Sequence, residues 1–240
     1  MSLERIWRRE NRRRSKDTAR KERVNRNWPG HADKLVNLFK GFAEIAKRDG
    51  VEMYVDEPIW NRFEMAQMVR DLGGSLPFGE TAVILRFGNQ PTGHGYFERD
   101  EKGLKRHFDI ELGTALVVHH SPAEGLVQVY LQPPKVQTVG QNEQNGRDSL
   151  LIDHTYNTDD LTNSWAEKNI ARLLVFNRAE SALIRPRLWD RVRVRVWRFL
   201  DVRNRRGYLG AFQHLFTPWE LVLIAALVFA VGSLGQVLGG

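Results

Sequence analysis

The sequence contains no cysteine. This absence excludes disulfide frameworks, thiolate metal sites and cysteine nucleophiles together, and it fits a reducing compartment. We expect no signal peptide, because the first residues are charged and no apolar segment lies near Met1. Motifs of phosphate-binding loops, serine hydrolases, kinases and zinc proteases are also missing. The sequence therefore predicts no metal or cofactor and gives no positive reason to expect an enzyme.

Positive charge is concentrated in two segments of the chain, although the net charge is only +7. Residues 1–30 carry 11 Lys or Arg against 4 Asp or Glu, and residues 185–206 carry 9 Arg against 2 Asp, so the remainder has a net charge of −7. The first segment has few residues to bury, and we expect an exposed arm that is helical or disordered. Such an arm can bind nucleic acid through phosphates.

Anionic lipid is the nearer partner for this arm if the chain is anchored in a membrane. Each basic residue close to a negatively charged leaflet contributes about 1 kcal/mol. A membrane anchor is in turn predicted by the last 20 residues, because no residue from Leu221 to Gly240 is charged. At about 1.5 Å per residue, that run matches the roughly 30 Å hydrocarbon core of a bilayer.

The residues before the uncharged run resemble a helix start. Thr217 can cap the helix, Pro218 fits its first turn, and Glu220 completes a capping box. Trp219 then lies at the headgroup level. Arginines precede the span and no charge follows it, so the N-terminus is predicted to be cytoplasmic. The alternative is a buried core helix, but core helices of this length are rarely apolar on every face.

Two further groups of residues are predicted to act at the membrane. Small residues four positions apart let transmembrane helices approach closely and allow self-association; these are Ala226 and Ala230, and Gly235 and Gly239. Basic and aromatic residues before the span suit the lipid interface. They are Trp189, Trp197, Trp219, Arg191, Arg195, Arg198, Arg203, Arg205 and Arg206.

The hydrophobic periodicity predicts helices at both ends of the cytosolic part and strands between them. Helices are expected over residues 31–48, from about 56 to 73, and from Asp159 or Asp160 through Leu173. Strands are expected over 81–87, 96–99, 104–112, 114–120, 126–132 and 150–153, with a mobile loop at 138–148. Residues 191–200 fit a strand or a helix, and we favour a helix.

One strand carries the best candidates for chemistry. His107, Asp109 and Glu111 alternate along residues 104–112, so their side chains project from one face and can hold a metal or organise proton transfer. The simpler interpretation, which we favour, is a solvated face opposite Phe108, Ile110 and Leu112. Adjacent His119 and His120 cannot face the same side, and His94 and His154 lack ligand-like spacing.

Together these patterns predict an α+β fold in which helices pack on a mostly antiparallel β-meander, followed by one C-terminal transmembrane helix. The expected segments are a basic arm at 1–30, a cytosolic domain at 31–184, an Arg-rich juxtamembrane segment at 185–217 and the span at 218–240. The expected function is a tail-anchored sensor or scaffold that binds a ligand or protein partner.

Two alternative functions remain open. One is an oligomerising effector that disrupts the membrane in a bacterial stress or phage-defence pathway, and the other is a membrane-bound enzyme with an unrecognised site. The preference for Arg over Lys and the lack of cysteine favour a bacterial inner membrane as the location.

Overall fold

A computed structural model describes residues 3–58, 81–100, 103–138, 149–201 and 220. The chain divides into two compact units, Met1–Arg185 and Pro186–Gly240. Among the described residues, no helix has both the length and the apolar character needed to cross a bilayer. The predicted helix over 56–73, the loop at 138–148 and the transmembrane segment fall largely or wholly outside the described ranges.

The first unit begins with a single long helix, α1 (Leu3–Arg48). It runs through Pro29 and through residue 30, where we expected the basic arm to end. Ion pairs between residues four apart, Glu4–Arg8, Glu10–Arg14 and Asp17–Lys21, support its first half. With the acid on the N-terminal side, each such pair adds about 0.2–0.5 kcal/mol to helix stability.

The strands of the described ranges form two antiparallel sheets. The strands are β1 (Met53–Asp56), β2 (Ala82–Phe87), β3 (Gln90–Asp100), β4 (Gly103–Leu112), β5 (Ala115–Ser121), β6 (Leu126–Gln132), β7 (Lys135–Thr138) and β8 (Leu150–Thr155). The larger sheet has the order β1-β2-β5-β6-β8, and the smaller has the order β3-β4-β7. The α+β class with antiparallel pairing is therefore confirmed, but the strands do not form a simple meander, because the β3–β4 hairpin leaves the larger sheet between β2 and β5.

A short 3₁₀ turn at Thr158–Asp160 leads into α2 (Asn163–Glu180). The helix starts a few residues later than expected because the side chain of Thr162 caps it, accepting a hydrogen bond from the backbone N–H of Trp165 at 3.2 Å. In the second unit, α3 (Leu188–Leu200) is helical, as we favoured for residues 191–200.

The main core lies on one face of the larger sheet. Alternate residues of β2, β5 and β6 point to this face and are fully buried; they are Val83, Leu85, Leu116, Val118, Val127, Val129 and Leu131. Helix α1 contributes Val24, Trp28, Leu35 and Phe39, and α2 contributes Ile170, Leu173 and Phe176. Alternation thus decides which strand residues enter the core, and it also places His120 on the α1 side.

Candidate functional site

The outstanding surface of the described chain is the projecting first part of α1, residues 3–16. Nearly every side chain in it is exposed, and it carries seven basic residues against two acidic ones. Six of the basic residues are spaced three or four apart, so they share one helix face. We call this the cationic face; it consists of Arg5, Arg8, Arg9, Arg12, Arg13 and Lys16.

Acidic residues are absent from the cationic face. Glu4 borders the face and forms an ion pair with Arg8. Glu10 forms an ion pair with Arg14, which lies outside the face. The guanidinium group of Arg14 lies 5.4 Å from the ring centroid of Trp7. An array of guanidinium groups along about 20 Å of helix attracts phosphates at successive positions, because the planar fork of arginine matches phosphate oxygens. The arrangement can bind a polyanion or an anionic surface.

The helix is fastened to the sheet just beyond this face. Arg20 donates from its guanidinium to the carbonyl oxygens of Gly125 at 2.8 Å and Glu124 at 3.1 Å, and it stacks over the ring of Tyr156 at 4.6 Å. Its hydrogen bond to Asp17 lowers the pKa of that carboxyl group. The β5–β6 turn thereby holds α1 and fixes the direction in which the cationic face projects.

Gly125 makes this close approach possible. Its φ of 58° is unfavourable for other residues, and a Cβ atom there would lie 2.6 Å from the Cα of Lys21. The turn therefore requires glycine both for its backbone conformation and for its contact with α1.

A buried histidine forms the second attachment of α1. The ring of Trp28 stacks on His120 with centroids 5.3 Å apart. The amide Nδ2 of Asn25 donates to the carbonyl of Pro122 at 3.2 Å, so its Oδ1 faces the ring and accepts from Nε2–H of His120 at 3.0 Å. Burial, with a smaller contribution from His119, lowers the pKa of His120 to about 4. His120 is therefore a neutral structural group.

The lowered pKa of His120 predicts that the folded protein becomes less stable as the pH decreases. Above pH 6.5 the residue is neutral in the folded and unfolded chain, and it imposes no penalty. Between pH 6.5 and about 4 only the unfolded chain takes up the proton, so the free energy of unfolding falls by about 3 kcal/mol over this interval. Urea denaturation at pH 7 and pH 4.5 measures the loss.

The matching variant is His120→Gln, which keeps a hydrogen-bond donor but does not titrate in this range. It should have a smaller pH dependence than the wild type. Burial also lowers the pKa of His119 and of His31, so part of the slope should remain. If the free energy of unfolding changes with pH equally in wild type and variant, the pH dependence does not come from His120.

Of the three candidates on β4, the structure describes the side chains of Asp109 and Glu111, and these two differ in their surroundings. The structure describes the backbone of residue 107 but not its side chain. Asp109 is half-buried, and its backbone carbonyl accepts a hydrogen bond from Thr92 Oγ1 at 3.1 Å. Glu111 is buried, with 4 % exposure, and it accepts hydrogen bonds from Ser181 Oγ at 2.6 Å and from the backbone N–H of Ala182 at 2.7 Å.

The interpretation of this strand as a solvated polar face was therefore wrong at two positions. Glu111 ties β4 to the end of α2, whereas Phe108, expected on the protected face, is 45 % exposed. In the described residues no cluster of three His, Cys, Asp or Glu side chains is arranged to hold a metal. His94 and His154 are exposed.

The predicted membrane-contacting residues of α3 differ in their surroundings. Trp189 is 73 % exposed and Arg191 is exposed, whereas Trp197 and Arg198 are half-buried. Arg195 donates from one guanidinium nitrogen to both carboxylate oxygens of Glu220, at 2.8 and 3.0 Å. The others, Arg203, Arg205, Arg206, Trp219, Ala226, Ala230, Gly235 and Gly239, lie outside the described residues.

The sequence contains a signal for the cationic face that the prediction of a basic arm does not use. This signal is the spacing of the basic residues at i, i+3, i+4, i+7, i+8 and i+11 from Arg5, which ends at Lys16. Comparison of the chain with protein-family models, with curated proteins and with solved structures gave no match.

Proposed function

We propose that this chain is a tail-anchored membrane protein that presents a cationic helix to anionic lipid and serves as a scaffold for a ligand or protein partner. The observation that carries the proposal is the cationic face, six basic side chains on one exposed side of a helix that the folded unit holds in place. The uncharged run of residues 221–240 supports the anchor.

Lipid is favoured over nucleic acid as the partner of the cationic face because of the proposed anchor. A span with a cytoplasmic N-terminus tethers the cationic face close to an anionic leaflet. The face can therefore bind lipid without a separate association step from solution. The exposed apolar residues Leu3, Ile6 and Trp7 lie outside the cationic face on this part of α1, so the attraction of the cationic face to lipid is electrostatic.

The test removes four charges from the cationic face in a full-length chain whose span has been disabled by Leu227→Arg and Val231→Arg, so that insertion does not mask surface binding. The face variant is Arg5→Gln, Arg9→Gln, Arg12→Gln and Lys16→Gln. At about 1 kcal/mol per residue, the affinity for phosphatidylcholine vesicles containing phosphatidylglycerol should fall about a thousandfold. Co-sedimentation measures it.

The control changes four exposed cations elsewhere on α1 and alters the net charge equally. It is Arg26→Gln, Lys34→Gln, Lys47→Gln and Arg48→Gln. We expect a clearly smaller loss of vesicle binding in the control. Equal losses would mean that net charge alone attracts the vesicles. Weak vesicle binding combined with tight, salt-sensitive binding of duplex DNA would instead identify nucleic acid as the partner.

A further inference from the structure

Helix α3 has the reverse of the usual arrangement of a helix in a water-soluble protein. Such a helix buries its apolar side and exposes its charged side. In α3 the buried residues are Asp190 and Val194, whereas Leu188 and Trp189 are each 73 % exposed, Leu200 is 61 % exposed and Val196 is 38 % exposed.

The exposed apolar residues of α3, together with the half-buried Val192 and Phe199, form one continuous surface. With 3.6 residues per turn, six positions fall within an arc of about 120° around the helix axis. We call this surface the apolar arc; it consists of Leu188, Trp189, Val192, Val196, Phe199 and Leu200. Arg193 borders one edge of the arc, and Arg191 and Arg195 border the other.

The position of α3 in its own unit indicates what covers the apolar arc. Arg195 is hydrogen-bonded to Glu220, and Glu220 immediately precedes the uncharged run of residues 221–240. This ion pair therefore sets α3 beside the point at which the chain is proposed to enter the bilayer. A helix at that point meets the headgroup region first.

We propose that α3 lies in the membrane interface with the apolar arc turned toward the acyl chains and with Arg191 and Arg193, which border the arc, at the phosphates. The inference rests on the proposed tail anchor and adds a second membrane contact to it. Apolar residues favour the acyl boundary, and arginine side chains extend toward phosphates while their stems remain in apolar surroundings. Trp189 has the amphipathic ring that favours this depth. Arg195 positions α3 through Glu220.

The absence of cysteine makes a direct test possible, because every single-cysteine variant carries one spin label. The full-length protein is reconstituted in vesicles of phosphatidylcholine and phosphatidylglycerol, and the label's accessibility to oxygen and to a water-soluble nickel complex is measured. Three positions suffice: Val196→Cys on the arc, Leu227→Cys in the proposed span, and Glu167→Cys at an exposed position of α2.

At Val196 we expect high oxygen access and low nickel access, at a depth of about 5–10 Å below the phosphates. The label at residue 227 should lie deeper, and the label at residue 167 should behave as in water. Circular dichroism of each variant checks that it has folded.

Each of the other outcomes overturns the inference in a recognisable way. A label at residue 196 that resembles residue 167, while residue 227 is deep, removes the interfacial helix and leaves the anchor intact. Protection of residue 196 from both reagents indicates contact with protein, such as a second copy. Nickel access at residues 196 and 227 together removes the proposed anchor and this inference with it.

Discussion

Replacing Leu227 and Val231 by arginine is expected to release the chain from membranes. Each arginine near the centre of a transmembrane helix costs about 2.5–3.5 kcal/mol of insertion free energy, so two cost roughly 5–7 kcal/mol. That exceeds the margin of a run that has only about the minimum length for a span and contains several glycines. Alkaline extraction of membranes from expressing cells should find the wild type in the pellet and the variant in the supernatant.

A conservative pair at the same positions, Leu227→Ile and Val231→Leu, controls for changes in expression or folding. It keeps the apolar character of the run and should remain in the pellet. Recovery of the wild type in the supernatant would show that residues 221–240 do not span a bilayer. Retention of the double-arginine variant would assign membrane attachment to other surfaces of the chain.

Trp28→Ala should destabilise the first unit by about 3–5 kcal/mol, because it empties the space of a large core side chain. Trp28 is 1 % exposed, lies between α1 and the larger sheet, and stacks on His120. For a unit of this size, the melting temperature should fall by about 10 °C or more. Thermal denaturation followed by far-ultraviolet circular dichroism measures the change without relying on tryptophan fluorescence.

Trp7→Ala is the matched control, with the same substitution in the same helix. Trp7 is 57 % exposed and has a cation–π contact with Arg14, which contributes about 0.5–1 kcal/mol at an exposed site. A loss of stability as large as that of Trp28→Ala would mean that the projecting part of α1 packs against the folded unit. Similar small effects at both positions would contradict the core position of Trp28.

Local pattern predicted most of the central elements. Strand β6 has the bounds expected from its alternation, and Val127, Val129 and Leu131 point into the core as that alternation requires. Two strands were missed, β1 and β7. Each has four residues, which is too short for a period to be recognised, and each is defined by its partner, β2 for β1 and β4 for β7.

The candidate site was predicted less well than the strands, because burial is not a local property. The spacing of His107, Asp109 and Glu111 correctly implied a strand, but their exposure depends on what covers β4. Ser181 directly follows α2 and lies 70 residues after Glu111 in the chain. Its hydroxyl group donates a hydrogen bond to Glu111. Sequence separation of that size leaves no periodic signal.

The sequence by itself determined the two basic segments, the uncharged run at the C-terminus and the exclusion of cysteine chemistry, since composition and spacing need no partner to be read. It also determined the alternating core positions of β6, Val127, Val129 and Leu131. Tertiary structure decided which of two tryptophans on α1 is a core residue, that the β3–β4 hairpin leaves the larger sheet, and that α3 exposes its apolar side. These features depend on contacts between segments that are distant in the sequence. The free energy of burial is roughly proportional to the apolar area removed from water, and residues from any part of the chain can cover that area.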